Sequence, residues 1–205
     1  MIVLARHGLA GSNLARITSG TAPGEGLAAE GVEQARRLGA ALGGEEIQLG
    51  VSTELRRTRE SLRHALDGRA ISTIVVPELN EIRFGRFDGG PLDAYRAWAA
   101  AEHPTTPAPG GGESRAAVAA RYARGLGHLL EREESPLLVV GHALFVRYVL
   151  DAASGLVPAA RMAPVEHAVP YRVGVREIAA AAAVLEEWSR APRFRDPPAE
   201  GRGAE

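Results

Sequence analysis

The chain has 205 residues, 45% of them hydrophobic and 24% charged, which suits one domain with a full core and is short for two. The formal net charge is −1, so no global basic field draws the chain to nucleic acid or to an anionic membrane. There is no cysteine, which excludes disulfides and thiolate metal sites.

From the N-terminus, "MIVLA" is a short apolar, partly β-branched run that reads as a buried strand. No basic segment and long apolar run open the chain, so a signal peptide is not expected. No uninterrupted run of about 18 apolar residues follows, so no membrane span is expected, and the default is a cytoplasmic protein. Residues 9–26 are rich in Gly, Ser, Thr and Ala and read as a loop. Residues 27–42 place Leu27, Val32, Ala35, Leu38 and Leu42 near one helical face, and Gly43-Gly44 ends that helix. "IQLGVST" reads as a second strand ending at Ser52, and "ELRRTRESLRHAL" as a helix with Leu55, Leu62 and Leu66 inward. Residues 70–76, "AISTIVV", read as a third strand closed by Pro77.

Residues 77–113 break the alternation. "LDAYRAWAAAEHP" predicts a short helix ending before Pro104, and "TTPAPGGG" a flexible link. A loop-rich insertion of this length in a compact domain is usually functional. Helical spacing resumes over 114–132, "SPLLVVG" is a continuous apolar strand, and 143–155 is a helix ending at Gly155. "YRVGV" reads as a strand and "EIAAAAAVLEEW" as a helix on propensity. The expected organisation is a single domain over 1–188, with a tail from about Ser189 whose Pro, Arg, Gly and Glu content predicts disorder.

Strands alternating with helices predict a three-layer α/β/α sandwich around a mostly parallel sheet. Ligands of such sheets bind beyond the carboxyl ends of the strands. The residues expected there are Arg6 and His7, then Ser52 to Arg57, then the segment with Glu78 and Glu81, then Gly141 and His142. Two histidines, at least two arginines and a carboxylate converge on one edge, beside helix N-termini that add N–H donors. That is an anion site containing a potential nucleophile. An imidazole at a rigid strand end can attack phosphorus, and a neighbouring guanidinium can hold the non-bridging oxygens.

Six segments, in order, resemble the signatures of the histidine phosphatase superfamily, which includes cofactor-dependent phosphoglycerate mutase. They are "LARHG", "SGTAPGEGLAAEGVEQARRLGAAL", "STELRRTRES", "LNEIRFGRFDG", "GGGES" and "LLVVGHA". The resemblance implies a phosphoglycerate mutase-like fold. It places His7 on the nucleophile that becomes phosphohistidine, Arg6 on its phosphate-binding neighbour, and Arg57 on the second core arginine, a register fixed by Leu55. His142 falls on the second core histidine and Glu81 on the general acid. Asn13, Ser19, Gly20 and the backbone of Ala143 fall on phosphate- or substrate-contacting positions. Three departures stand out: Leu9-Ala10 after the first motif, Gly141 for a common Ser or Thr, and Ala143 for a common Gly.

The function implied is metal-independent hydrolysis of a small phosphorylated metabolite, with no cofactor. The alternatives are a mutase and a catalytically silent phosphate-binding or regulatory module. A nucleotide-binding sheet is disfavoured because no G-x-G-x-x-G or P-loop follows the first strand. His64, His103, His128 and His167 are not read as catalytic, although His103 and His167 lie in segments that can reach the pocket. Tyr95 and Trp98 read as the insertion's own core rather than a substrate platform. Specificity is expected from residues 83–112 and 163–170.

Overall fold

The computed structural model describes residues 1–195. Five strands form one sheet: β1 (Ile2–Arg6), β2 (Leu49–Ser52), β3 (Ser72–Val75), β4 (Leu137–Gly141) and β5 (Tyr171–Val173). Their spatial order is β3-β2-β4-β1-β5. The pairs β1/β4, β2/β4 and β2/β3 are parallel, and β5 closes the edge antiparallel to β1. Among the described residues seven helices lie around it: α1 (Gly11–Leu14), α2 (Ala29–Ala41), α3 (Arg56–Ala65), α4 (Leu92–Ala101), α5 (Arg115–Leu130), α6 (Ala143–Ala153) and α7 (Val175–Arg190).

The two-residue period of a strand divides the core into two layers. Val3, Ala5, Leu138 and Val140 pack with Leu38, Leu42, Leu62 and Leu66 of the α2 and α3 region. Ile2, Leu4, Leu137 and Val139 face the other way, onto Tyr122, Leu126, Phe145, Val149, Ile178 and Leu185 of α5, α6 and α7. Because both faces of β1 and β4 are covered, these strands read as continuous apolar runs rather than alternating ones. The expected three-layer sandwich is the observed fold.

Three expectations need correction in detail. The loop over 9–26 contains the one-turn helix α1, held because Asn13 Oδ1 accepts the Ala10 N–H at 3.0 Å. Ahead of the expected short helix, which is α4, the segment 77–113 adds two 3-10 turns, Pro77–Leu79 and Gly85–Phe87. The boundary placed at Ser189 falls inside α7, which continues to Arg190. Beyond it, Trp188 Nε1 donates to Arg193 O at 2.6 Å, Phe194 packs on Trp188, and Arg195 pairs with Asp151 at 2.8 Å. These contacts tie down residues whose composition alone suggests a free tail. Residues 196–205 of that expected tail lie outside the described residues.

The register of β1 on β4 is what assembles the site. Arg6 stands opposite Gly141, so the next residue on each strand is a histidine. His7 N–H donates to Gly141 O at 2.9 Å, continuing the ladder by one rung. Glycine is needed where α2 meets this strand end: a Cβ on Gly8 would lie 2.3 Å from Gly31 O, and one on Gly31 2.0 Å from Leu9 O. The backbones therefore approach without side chains between them.

Candidate active site

His7 and His142 are almost fully buried, with ring centroids 5.4 Å apart. His7 Nδ1 lies 2.7 Å from Gly8 O. A carbonyl only accepts, so Nδ1 carries the proton and the Nε2 lone pair is free of it. Arg57 Nε donates to that Nε2 at 3.1 Å. Burial holds the His7 pKa well below the usual imidazole value, and the charges of Arg57, His142 and Arg6 lower it further.

The tautomer of His142 follows from the same argument. Arg57 Nη2 can only donate, so Nδ1 of His142, 3.3 Å away, accepts. The proton sits on Nε2, which donates to Thr53 Oγ1 at 3.0 Å. Thr53 Oγ1 in turn lies 2.9 Å from Thr58 Oγ1, and the Thr58 hydroxyl reaches Leu55 O at 2.8 Å. This chain of hydroxyls runs from the end of β2 into the first turn of α3. Burial, then Arg57, lowers the pKa of His142 as well.

Arg57 is the hub. Besides the two imidazoles, its Nη2 donates to Ser19 O at 2.8 Å, and Nη1 reaches Ser19 Oγ at 3.4 Å. Arg56, one residue earlier, faces outward and pairs with Glu60 at 2.7 Å. Arg6 donates through Nη1 to Val165 O at 2.8 Å, and its buried Nε has no partner among the described residues. Burial lowers the Arg6 pKa to about 10, against the pull of Glu81.

Glu81 Oε2 lies 3.9 Å from His142 Nδ1, and Oε1 accepts the Ile82 N–H at 3.0 Å. Burial raises its pKa above the usual carboxylate value, opposed by the Arg57 charge. A carboxyl so placed can carry a proton that an exposed one would have lost. Its segment is clamped from behind. Arg121 Nη1 donates to the carbonyls of Glu78 and Asn80 at 2.7 and 2.9 Å, while Arg121 makes a forked ion pair with Glu113 at 3.0 and 2.8 Å. Glu113 Oε2 also takes the Arg83 N–H at 2.9 Å.

These groups open into one cleft of about 570 Å³, lined by Arg6, His7, Asn13, Ser19, Arg57, Glu81 and Ala143 among others. Ala143 begins α6, whose first N–H groups have no partner within the helix. His142, buried behind Arg57, and Gly20 do not line the cleft. The Gly20 N–H is taken by Asp88 at 2.8 Å, and a Cβ there would meet Ile82 O at 2.3 Å. Gly20 shapes the loop; it does not border the space a ligand would fill.

Ser12, Thr53, Ser61 and Glu113 went unassigned in the sequence. Ser12 is buried and lines the cleft, two positions after the missing hydroxyl at Ala10. Ser61 Oγ accepts the Gly8 N–H at 2.9 Å. Gly141, the other departure, has a packing cause: a Cβ there would lie 2.7 Å from the Phe145 ring. His103 hydrogen-bonds Thr105 at 2.8 Å, away from the cleft. His167 Nδ1 donates to His7 O at 2.8 Å and borders a separate groove with Gln34 and Arg37. Among the described residues no three His, Cys, Asp or Glu side chains gather as a metal-binding group, and no helix is long and apolar enough to cross a membrane.

The sequence model of the histidine phosphatase superfamily (branch 1) matches residues 2–190. The chain belongs to this superfamily. It is 38% identical to the adenosylcobalamin/alpha-ribazole phosphatase of Escherichia coli over 85 residues, 42% of this chain and 41% of that protein. The matched stretch thus spans about two fifths of that curated relative. Among solved structures, the alpha-ribazole phosphatase of Shigella flexneri is 28% identical with a TM-score of 0.67, covering 76% of this chain and 80% of the other. The mycobacterial glucosyl-3-phosphoglycerate phosphatase is 26% identical with a TM-score of 0.69, covering 82% and 88%.

Proposed function

We propose that the chain hydrolyses a small phosphomonoester through a phosphohistidine on His7. The observation that carries this reading is the neutral Nε2 of His7, fixed by the Nδ1–H bond to Gly8 O and facing Arg57. Its Nε2 attacks phosphorus, the N–P bond forms, and the bond to the leaving oxygen breaks. Glu81 gives its proton to that oxygen. Water then attacks the phosphohistidine, the N–P bond breaks, and the proton released goes to the Glu81 carboxylate. Inorganic phosphate departs and the starting protonation states are restored.

Arg6 and Arg57 balance charge on the equatorial oxygens, which are the main demand of phosphoryl transfer. His142 starts neutral because of burial and Arg57. A phosphomonoester that arrives as the monoanion can pass its proton to Nδ1, giving an imidazolium that donates to a phosphoryl oxygen of the dianion; the departing phosphate takes that proton back. Asn13, Ser19 and the α6 N-terminus at Ala143 line the phosphate end and complete its donors. No step uses a metal ion or a cofactor.

The relatives support a phosphatase of a small metabolite over a mutase, since their names describe phosphatases. The test is release of p-nitrophenol from p-nitrophenyl phosphate in excess chelator. Release that disappears in His7→Ala supports the reading; release that survives the substitution contradicts it.

A further inference from the structure

A phosphoryl group held by Arg6, Arg57 and His7 leaves most of the 570 Å³ cleft for the rest of the substrate. The walls of that remainder include Ile17, Phe84, Leu92 and Met162, all apolar. Among the polar side chains beside them, Arg115, 8% exposed, and Tyr95, 6% exposed, are more than nine-tenths buried.

Arg115 is the first residue of α5. Its Nε donates to Tyr148 OH at 2.6 Å and Nη2 to Ala159 O at 3.3 Å, while its guanidinium lies over the rings of Tyr148 and Phe194 at 5.2 and 5.5 Å. Among the described residues no carboxylate lies within ion-pair distance of it, and Nη1 makes no hydrogen bond. A cation in the first turn of a helix also works against the helix dipole. The ring faces recover part of the desolvation cost, but a buried charge normally has a partner. The Tyr95 hydroxyl is buried with no hydrogen-bond partner among the described residues, and a polar group left so carries an uncompensated desolvation cost.

Charge counting points the same way. Five arginines and one glutamate line the cleft: Arg6, Arg57, Arg96, Arg115, Arg161 and Glu81. Arg6 and Arg57 match a phosphate dianion. Of the other three, Arg96 pairs with Asp93 at 3.6 Å, which leaves Arg115 and Arg161 without an ion-pair partner among the described residues.

We propose that Arg115 and Tyr95 form a subsite for a carboxylate, so that the substrate is a phosphomonoester carrying a carboxyl group across an apolar spacer. The planar guanidinium fork suits a carboxylate, and the phenol adds a third donor. This rests on the hydrolase reading above for the phosphate end of the cleft. It revises the expectation that Tyr95 serves only the core of the insertion.

The test separates binding from turnover. In full-length His7→Ala protein, calorimetry would compare 4-carboxyphenyl phosphate with its neutral isostere, 4-carbamoylphenyl phosphate. The carboxylate should bind at least about tenfold more tightly, the scale of one charge-assisted hydrogen bond. Adding Arg115→Met should bring the two affinities within about twofold of each other, a collapse of that same preference. Tyr95→Phe, which removes only the hydroxyl, should narrow the preference in the same direction, and it serves if Arg115→Met fails to fold. Equal affinities in His7→Ala protein, or an equal loss for both ligands on changing Arg115, would overturn the subsite. Turnover of p-nitrophenyl phosphate by the unaltered chain reads the hydrolase proposal separately. A chain that prefers the carboxylate yet hydrolyses no ester keeps the subsite and loses that function.

Discussion

Arg57 Nε donates to His7 Nε2 at 3.1 Å, so the lone pair proposed to attack phosphorus already faces a fixed cation. The same guanidinium reaches His142 Nδ1 at 3.3 Å. Burial first, and then this one side chain, keeps both imidazoles neutral, and the unprotonated nitrogen of each faces the same charge. Substrate must enter by replacing these contacts with phosphoryl oxygens, which carry more acceptor strength than a neutral imidazole.

The first prediction concerns Thr53. Its oxygen accepts the Nε2–H of His142, which leaves Nδ1 as the unprotonated nitrogen facing Arg57. Thr53→Val keeps the shape and removes the acceptor. Loss of a hydrogen bond of about 1.4 kcal/mol in the transition state lowers kcat/KM roughly tenfold. Thr53→Ser should restore most of it. Equal kcat/KM in all three proteins would remove Thr53 from the mechanism.

The second concerns pH. Burial raises the Glu81 pKa, so its proton is lost only as pH climbs through a value above the ordinary carboxylate one. Burial and Arg57 lower that of His7, so the nucleophile stays neutral well into acid. Turnover should therefore peak on the acidic side of neutral and fall as pH rises. Glu81→Gln should abolish that alkaline limb and slow alkyl phosphates by about 10²–10⁴-fold, with a smaller effect on p-nitrophenyl phosphate, whose leaving group needs less protonation.

Stability follows the opposite sign. His7, His142 and His167 all have folded pKa values below the unfolded one, with His167 at about 4 because of burial and Arg6. Below about pH 6.5 the unfolded chain binds more protons at these sites, so each costs up to about 1.4 kcal/mol per pH unit. Glu81 opposes this between the ordinary carboxylate value and its own raised one, but it is one group against three. Tm should drop between about pH 7 and about pH 5; a flat profile would contradict these burials.

A fourth prediction isolates positioning from chemistry. Burial pushes the Glu113 carboxyl up, yet the Arg121 hydrogen bonds and charge outweigh this and hold it ionised. Glu113→Gln removes the ion-pair partner of the half-buried Arg121, at a cost of about 1.5–3 kcal/mol. Arg121 also holds the carbonyls of Glu78 and Asn80, so Glu81 should lose its aim. Denaturant midpoint and kcat should fall together, with KM less affected. A loss of stability with kcat unchanged would make the clamp purely structural.

What the sequence discloses here depends on contact range. His7, Arg57 and His142 sit at strand ends or in helix first turns, where local pattern and fold class together fix position. The pairing of Arg6 with Gly141 was not legible, because strands apolar on both faces carry no alternation to fix their register. The Thr53–Thr58–His142 chain was hidden, because its last link joins residues 89 apart and depends on side-chain rotamers. Arg115 was hidden for the same reason; Tyr95 lies in the segment 83–112 expected to set specificity but reads as core in the sequence, and only packing puts α4 and the start of α5 on one cleft. The tail boundary failed because composition cannot register Trp188 capping Arg193 O or Arg195 meeting Asp151.

The central claim is that His7 carries the phosphoryl group. The direct measurement is rapid quench of enzyme with phosphorus-labelled substrate, followed by alkaline peptide mapping. The account predicts acid-labile, alkali-stable label on the peptide containing His7, appearing before free phosphate and absent in His7→Ala. Label on another residue, or turnover with no phosphorylated protein at any time, would contradict it.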